Sequence, residues 1–171
     1  DEVVEVIPDS RNPALQALRR DLENHEGKVI IWCQFKEDIR KVAKLIEDIG
    51  YKYVEYHGGV KQKDRESAID NFMRFKKVKV FIGQPQAGGV GLNLSIAQTI
   101  IWYSHTHDLI TREQASERAT KVGGVSIDVV DYECRDSVDG FVLTSHRTKR
   151  NVSDDVAGIG LKYILEAEQW I

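Results

Sequence analysis

Val29-Ile30-Ile31-Trp32-Cys33 is a run of apolar residues with no alternation. A strand with one wet face alternates apolar and polar residues. A continuous run needs cover on both faces, the condition of a parallel strand inside an α/β sheet. The residues after it fit that reading. Residues 36–49 place Ile39, Val42, Ala43, Ile46 and Ile49 at helical spacing, and Gly50 stops the pattern. The same alternation of strand and helix continues downstream. Strands are expected at 51–56, 78–82, 99–103 and 126–132, and helices at 62–75, 108–121 and 137–150. Upstream, Leu15, Leu18 and Leu22 give a first helix over 10–24, with Pro13 near its start. A terminal helix is expected over 161–170, after a loose stretch at 152–160. Strands alternating with helices imply right-handed crossovers and a parallel sheet with helices on both faces.

The 171 residues suit one domain, with residues 1–26 as a lead-in and 151–171 as a tail. Hydrophobic content of 42% and charged content of 30% are those of a globular chain. A net charge of −3 excludes a global basic field, so any nucleic-acid contact must be local. Cys33 and Cys134 lack metal-ligand spacing and read as free thiols of a reducing compartment. No apolar run reaches the roughly 20 residues of a membrane span, and no signal peptide is visible. The opening at Asp1 is what a fragment of a longer protein would show.

Two stretches carry chemistry. In residues 114–124, Gln114, Arg118 and Lys121 share a helical face, before Gly123 and Gly124 end the helix. A glutamine and two cations on one ridge suit a polyanion such as a triphosphate. A solvated charged face is the plain alternative. In residues 84–94, Gly88, Gly89 and Gly91 let backbone amides approach a ligand. This loop follows a buried strand, where ligands gather in open α/β sheets. The pattern is not Gly-x-Gly-x-x-Gly, and the chain contains no Gly-x-x-x-x-Gly-Lys-Ser/Thr phosphate loop.

These stretches resemble motifs of the second RecA-like domain of superfamily-two helicases, Swi/Snf-related, of a phage or bacterial type. Residues 86–94 look like motif V and residues 114–123 like motif VI. Residues 29–35 look like motif IV, and Tyr56-His57-Gly58-Gly59 with Arg65, Ile69 and Phe72 is similar to the segment after it. The resemblance spans roughly residues 27–150. It implies a three-layer α/β/α RecA-like sheet and an ATP site shared with an N-terminal RecA-like domain. That partner domain would hold the phosphate loop and the Asp-Glu pair that binds Mg2+. Arg118 would face the γ-phosphate, with Lys121 assisting and Gln114 orienting the site. Gly89 and Gly91 would touch both nucleotide and nucleic acid. The family carries arginine where this chain has Lys121, which keeps the charge but lacks the planar fork. It also usually has Gly-Gln where Gly123-Gly124 stands here.

The resemblance also implies DNA contacts through loops after strands: Gln34 and Phe35, Gly58 and Gly59, and Gln84 to Gln86. Such contacts hold the sugar-phosphate backbone without reading sequence. Lys61, Lys63, Arg65, Arg74, Lys76, Lys77 and Lys79 form a local basic cluster, and His146, Arg147, Lys149 and Arg150 form a second. A solvated helix face and a helix-dipole preference explain most of these without DNA. His105-x-His107 has no third ligand near in sequence; His107 and Asp108 are expected to start the helix, with Asp108 or Thr111 as its cap. Trp32, Trp102 and Trp170 read as core or partner-facing rings.

The function expected is thus the C-terminal motor domain of an ATP-dependent DNA helicase or translocase in a bacterial or phage-infected cytoplasm. Its arginine and lysine are expected to project from the sheet's carboxyl rim into an open groove beside the glycine turn. The alternative is a RecA-like nucleic-acid-binding or regulatory module that has lost the ATPase.

Overall fold

The computed structural model describes residues 7–87, 92–119 and 126–148. Gly88, Gly89, Gly91, Lys121, Gly123, Gly124, Lys149, Arg150 and the expected helix at 161–170 with Trp170 lie outside these residues. The elements are α1 (Pro13–Glu23), β1 (Val29–Trp32), α2 (Lys36–Asp48), β2 (Lys52–Tyr56) and α3 (Gln62–Arg74). They continue with β3 (Val78–Gly83), β4 (Thr99–Trp102), α4 (Leu109–Glu117), β5 (Asp128–Asp131) and α5 (Val138–Arg147).

All five strands are parallel, in the order β2-β3-β1-β4-β5. The run that opened the reading is the central strand. Val29–Trp32 pairs with Val80–Gly83 on one side and Thr99–Trp102 on the other, and every residue of β1 is buried. One face packs Val29 and Ile31 against Leu15, Leu18 and Leu22 of α1 and Ile39, Val42 and Ile46 of α2. The first helix is therefore part of the core. The other face packs Ile30, Trp32, Phe81, Ile100 and Trp102 against Phe72 of α3, Leu94, and Ala115 and Ala119 at α4. The chain travels outward from β1 to β2 through α2, then reverses. Every later crossover runs the other way along the sheet and lies on the second face, as right-handed connections require.

Two expected boundaries move. The first helix starts at Pro13, not at residue 10, because Asn12 caps it: Asn12 Oδ1 accepts from the Ala14 and Leu15 amides. Residues 9–11 form a separate 3-10 turn. The motif helix ends at Glu117, so Arg118 is its C-cap and not an interior residue. The Arg118 carbonyl accepts the distant Leu94 amide at 2.8 Å, and the Ala119 amide turns back to the Ser116 carbonyl. Those bonds replace the continuing helical ladder.

At the amino rim, Lys28 is only 8% exposed. Its ammonium donates to the carbonyls of Phe72, Phe75 and Val78, the last turn of α3 and the turn after it. A cation there satisfies orphan carbonyls and complements the helix dipole. This single side chain ties β1 to α3.

Candidate functional site

The carboxyl rim is a row of loops whose order follows the strand order. The turn at Gly58 and Gly59 follows β2, Gln84 to Gln86 follow β3, Gln34 and Phe35 follow β1, and residues 103–108 follow β4. Hydrogen bonds join neighbours along the row. The Gln84 amide donates to the Tyr56 carbonyl at 3.0 Å. Gln84 Nε2 donates to the Gln34 carbonyl at 3.1 Å. Gln86 Nε2 reaches Gln34 Oε1 at 2.7 Å. The Gln34 amide donates to Ser104 Oγ, which donates to Asp38. Phe35, Gly58, Gly59, Lys61 and Gln86 are exposed on this edge, while Gln34 and Gln84 are half-buried. Six of the seven positions expected to touch nucleic acid thus lie in one strip, with Lys61 just beyond at the cap of α3.

Arg118 lies elsewhere. The helix α4 starts near the rim at Asp108 and runs back across the second face, so its C-cap sits over the sheet. The Arg118 guanidinium is half-buried, with Cζ 5.8 Å from the centre of the Trp32 ring. The open cation expected from the sequence is corrected to a half-buried one, above the ring of Trp32 at the carboxyl end of β1. Burial draws its pKa down, and the neighbouring Tyr56 opposes that. Arginine nevertheless stays charged, and its field is stronger for being partly removed from water. Gln114, four residues earlier on α4, is exposed.

The floor beneath Arg118 is a stack of rings. Trp32 meets Phe81 edge-on at 6.0 Å, and Phe81 stacks with Tyr56 at 5.7 Å and 27°. Gly83 makes room for it: a Cβ there would stand 2.7 Å from Trp32 Cζ3 and 3.0 Å from Phe81 Cε1. On the far side of Tyr56 lies Arg65, its Cζ 5.6 Å from the ring centre. Arg65 Nη1 also reaches the Ala87 carbonyl at 3.5 Å. The glycine loop is therefore held at both ends: Ala87 by the Arg65 side chain, and Leu94 by the Arg118 carbonyl. Sequence reasoning counted Arg65 among a solvated basic cluster. It is instead the one residue in the first six of α3 that is not fully exposed.

Other expected residues have plain structural partners. His105 Nε2 lies 2.7 Å from the Tyr132 carbonyl and Nδ1 lies 3.3 Å from Arg112. Arg112 pairs with Asp131 at 2.6 Å and lies over Trp102. Asp108 caps α4 by accepting the Ile110 amide at 3.0 Å. Trp32, Trp102 and Cys33 are fully buried. A cavity of about 590 Å³ lies between α4, β5 and α5, lined by Arg112, Val129, Leu143 and His146, away from the Arg118 floor.

An all-parallel sheet in this order, with helices on both faces, defines a RecA-like α/β lobe. Residues 11–123, well over half of the chain, match the helicase conserved C-terminal domain, and the chain belongs to that family. It is similar to the chromatin-remodeling ATPase INO80 of Mycosarcoma maydis, 27% identical over 90% of this chain and 8% of that protein. It is similar to the ATP-dependent helicase FUN30 of Saccharomyces cerevisiae, 26% identical over 71% of this chain and 11% of that protein. The crystal structure of the C-terminal part of the Fun30 ATPase domain shares the fold, with a TM-score of 0.73 and 23% identity over 82% of this chain and 47% of that one. The chain spans about a tenth of the length of the curated relatives it matches. These relatives are Snf2-type and eukaryotic, which gives the expected phage or bacterial provenance and bacterial cytoplasm no support. Among the described residues, no helix is long and apolar enough to cross a membrane.

Proposed function

We propose that this chain is the second RecA-like lobe of an ATP-dependent DNA translocase or helicase. The observation that carries the reading is the partly desolvated Arg118 guanidinium, held above Trp32 and tied through its own carbonyl to the end of the glycine loop. A cation in such a place suits an anionic phosphate group better than it suits water. Magnesium is assigned, with the phosphate loop, to an N-terminal lobe, as the resemblance to the helicase family implies. ATP with Mg2+ supplies the phosphoryl group when bound between the lobes.

In this reading Arg118 stabilises the charge that develops on the γ-phosphoryl oxygens, with Lys121 assisting. Gln114 orients the site from the exposed side of α4. Gly89 and Gly91 offer backbone amides to nucleotide and nucleic acid together. The rim strip of Gln34, Phe35, Gly58, Gly59, Gln84 and Gln86, with Lys61 beside it, lies along the sugar-phosphate backbone of DNA. Relatives described as chromatin-remodelling ATPases and ATP-dependent helicases support ATP-driven work as the frame.

The test is the intact protein, expressed from its complete reading frame, carrying Arg118→Ala. Arginine fingers contribute ~10³–10⁵ in rate in related phosphoryl-transfer systems, so turnover should fall by about three orders of magnitude or more. Near-normal ATPase activity refutes the assignment. Lys121, standing where the family carries arginine, favours a second reading: a nucleic-acid-binding or regulatory module without turnover. The upstream reading frame separates the two. A phosphate loop followed by an Asp-Glu pair supports the motor, and their absence supports the module.

A further inference from the structure

Arg65 is badly placed for stability alone. It lies in the first turn of α3, where the helix dipole disfavours a cation. It is half-buried, and among the described residues it makes no ion pair, although Asp64 and Glu66 flank it. What it does touch is specific. Its guanidinium lies over the Tyr56 ring and reaches the Ala87 carbonyl, the last described residue before the glycines.

The contacts continue as a chain across the sheet: Arg65 over Tyr56, Tyr56 stacked on Phe81, Phe81 edge-on to Trp32, and Trp32 beneath Arg118. Close-packed rings transmit displacement because they have no slack. Arg65 therefore fixes two things at once. It sets where the glycine loop begins, and it braces the floor that sets the height of Arg118. We propose that Arg65 is a positioning residue for the phosphate site, acting through Tyr56 and Ala87 and not by contact with nucleotide. This rests on the reading of Arg118 given above, and deepens it.

The inference predicts a particular kinetic pattern in the intact protein. Arg65→Gln keeps length and polarity but loses the charge and the planar stack. Misplacing a loop and a finger by a fraction of an ångström should lower kcat about tenfold, with KM for ATP within about twofold. Arg65→Lys keeps a cation able to reach the Ala87 carbonyl and should recover most of that loss. Tyr56→Leu removes the ring that Arg65 braces, so Arg65→Gln should cost less in the Tyr56→Leu background than in the natural protein, the remaining loss being that of the Ala87 contact. Arg118→Ala, assayed beside them, separates this inference from the reading beneath it. If Arg118→Ala retains turnover, the composite site falls and Arg65 falls with it. If Arg118→Ala is inactive while Arg65→Gln turns over normally, only the positioning role is overturned. Equal losses in Arg65→Gln and Arg65→Lys, tracking equal losses in unfolding temperature, would make Arg65 a structural prop and also overturn the role.

Discussion

Gly83 stands in the sequence between the expected strand at 78–82 and the loop at 84–94; in the fold it is the last residue of β3. Its missing Cβ is required by Trp32, 51 residues earlier in sequence, whose ring fills that space. No local pattern reveals such a neighbour. Gly83→Ala should therefore cost about 1–3 kcal/mol, the range for overpacking a core, and should tilt the floor under Arg118. Chemical denaturation measures the first effect, and the near-ultraviolet dichroism of the tryptophans reports the second. Lys28 is a similar case. Nothing in Gly27-Lys28-Val29 announces a buried ammonium with three carbonyl partners. Lys28→Met fills the space and leaves those carbonyls short of a donor, at a cost of about 2–3 kcal/mol. An unchanged denaturation midpoint would mean that water replaces the ammonium without penalty. Arg118, by contrast, was singled out by its spacing to Gln114. Its half-buried setting was not legible, because that depends on Trp32 and Leu94 arriving from elsewhere in the chain.

At the scale of elements, periodicity located the helices, and side-chain caps set the amino ends of α1, α4 and α5. Asp108 caps α4 as expected, and Thr111 Oγ1 donates to the same carboxylate. Asp108→Ala should cost about 1 kcal/mol, measurable as a shift in unfolding midpoint. The other end of α4 was misread because Leu94 takes the Arg118 carbonyl, a bond that spacing within residues 114–124 cannot contain. The helix α5 carries a pH dependence. His146 is 8% exposed, and both of its ring nitrogens are removed from water. Burial lowers its pKa, Arg112 and His105 lower it further, and the His107 carbonyl and Asp131 oppose them. The unfolded chain therefore takes up this proton first as pH falls below the ordinary value of 6.5. The stability contributed by neutral His146 is complete above that value and is lost as pH falls towards the lower folded pKa. Replacing it by Gln should flatten the profile below the ordinary value of 6.5. A profile equally steep in both proteins would place the titration elsewhere.

For the whole molecule, the sheet was legible because burial on both faces writes itself into composition. Val29–Trp32 and Thr99–Trp102 leave no polar residue except Thr99, and a parallel arrangement follows. What composition cannot write is strand order. Only the order β2-β3-β1-β4 shows that the loops after these strands form one strip, with the Arg118 guanidinium beside it over Trp32, the last residue of β1. That layout bears on how the 171-residue chain should behave alone. On the function proposed above its cations would meet a phosphate group from one side only, and its sequence holds no phosphate loop, so it should show no measurable ATP turnover. The positions proposed for DNA all lie within this lobe. A chain of net charge −3 that offers a few loop contacts should bind duplex weakly. With one cation, Lys61, beside the strip, log K should fall with log salt at a slope of about −1. Lys61→Ala should reduce that slope by about one and leave sequence preference untouched, because a phosphate contact carries no base information. Binding that ignores salt, or turnover by this lobe alone, would break the division of labour between strip and face.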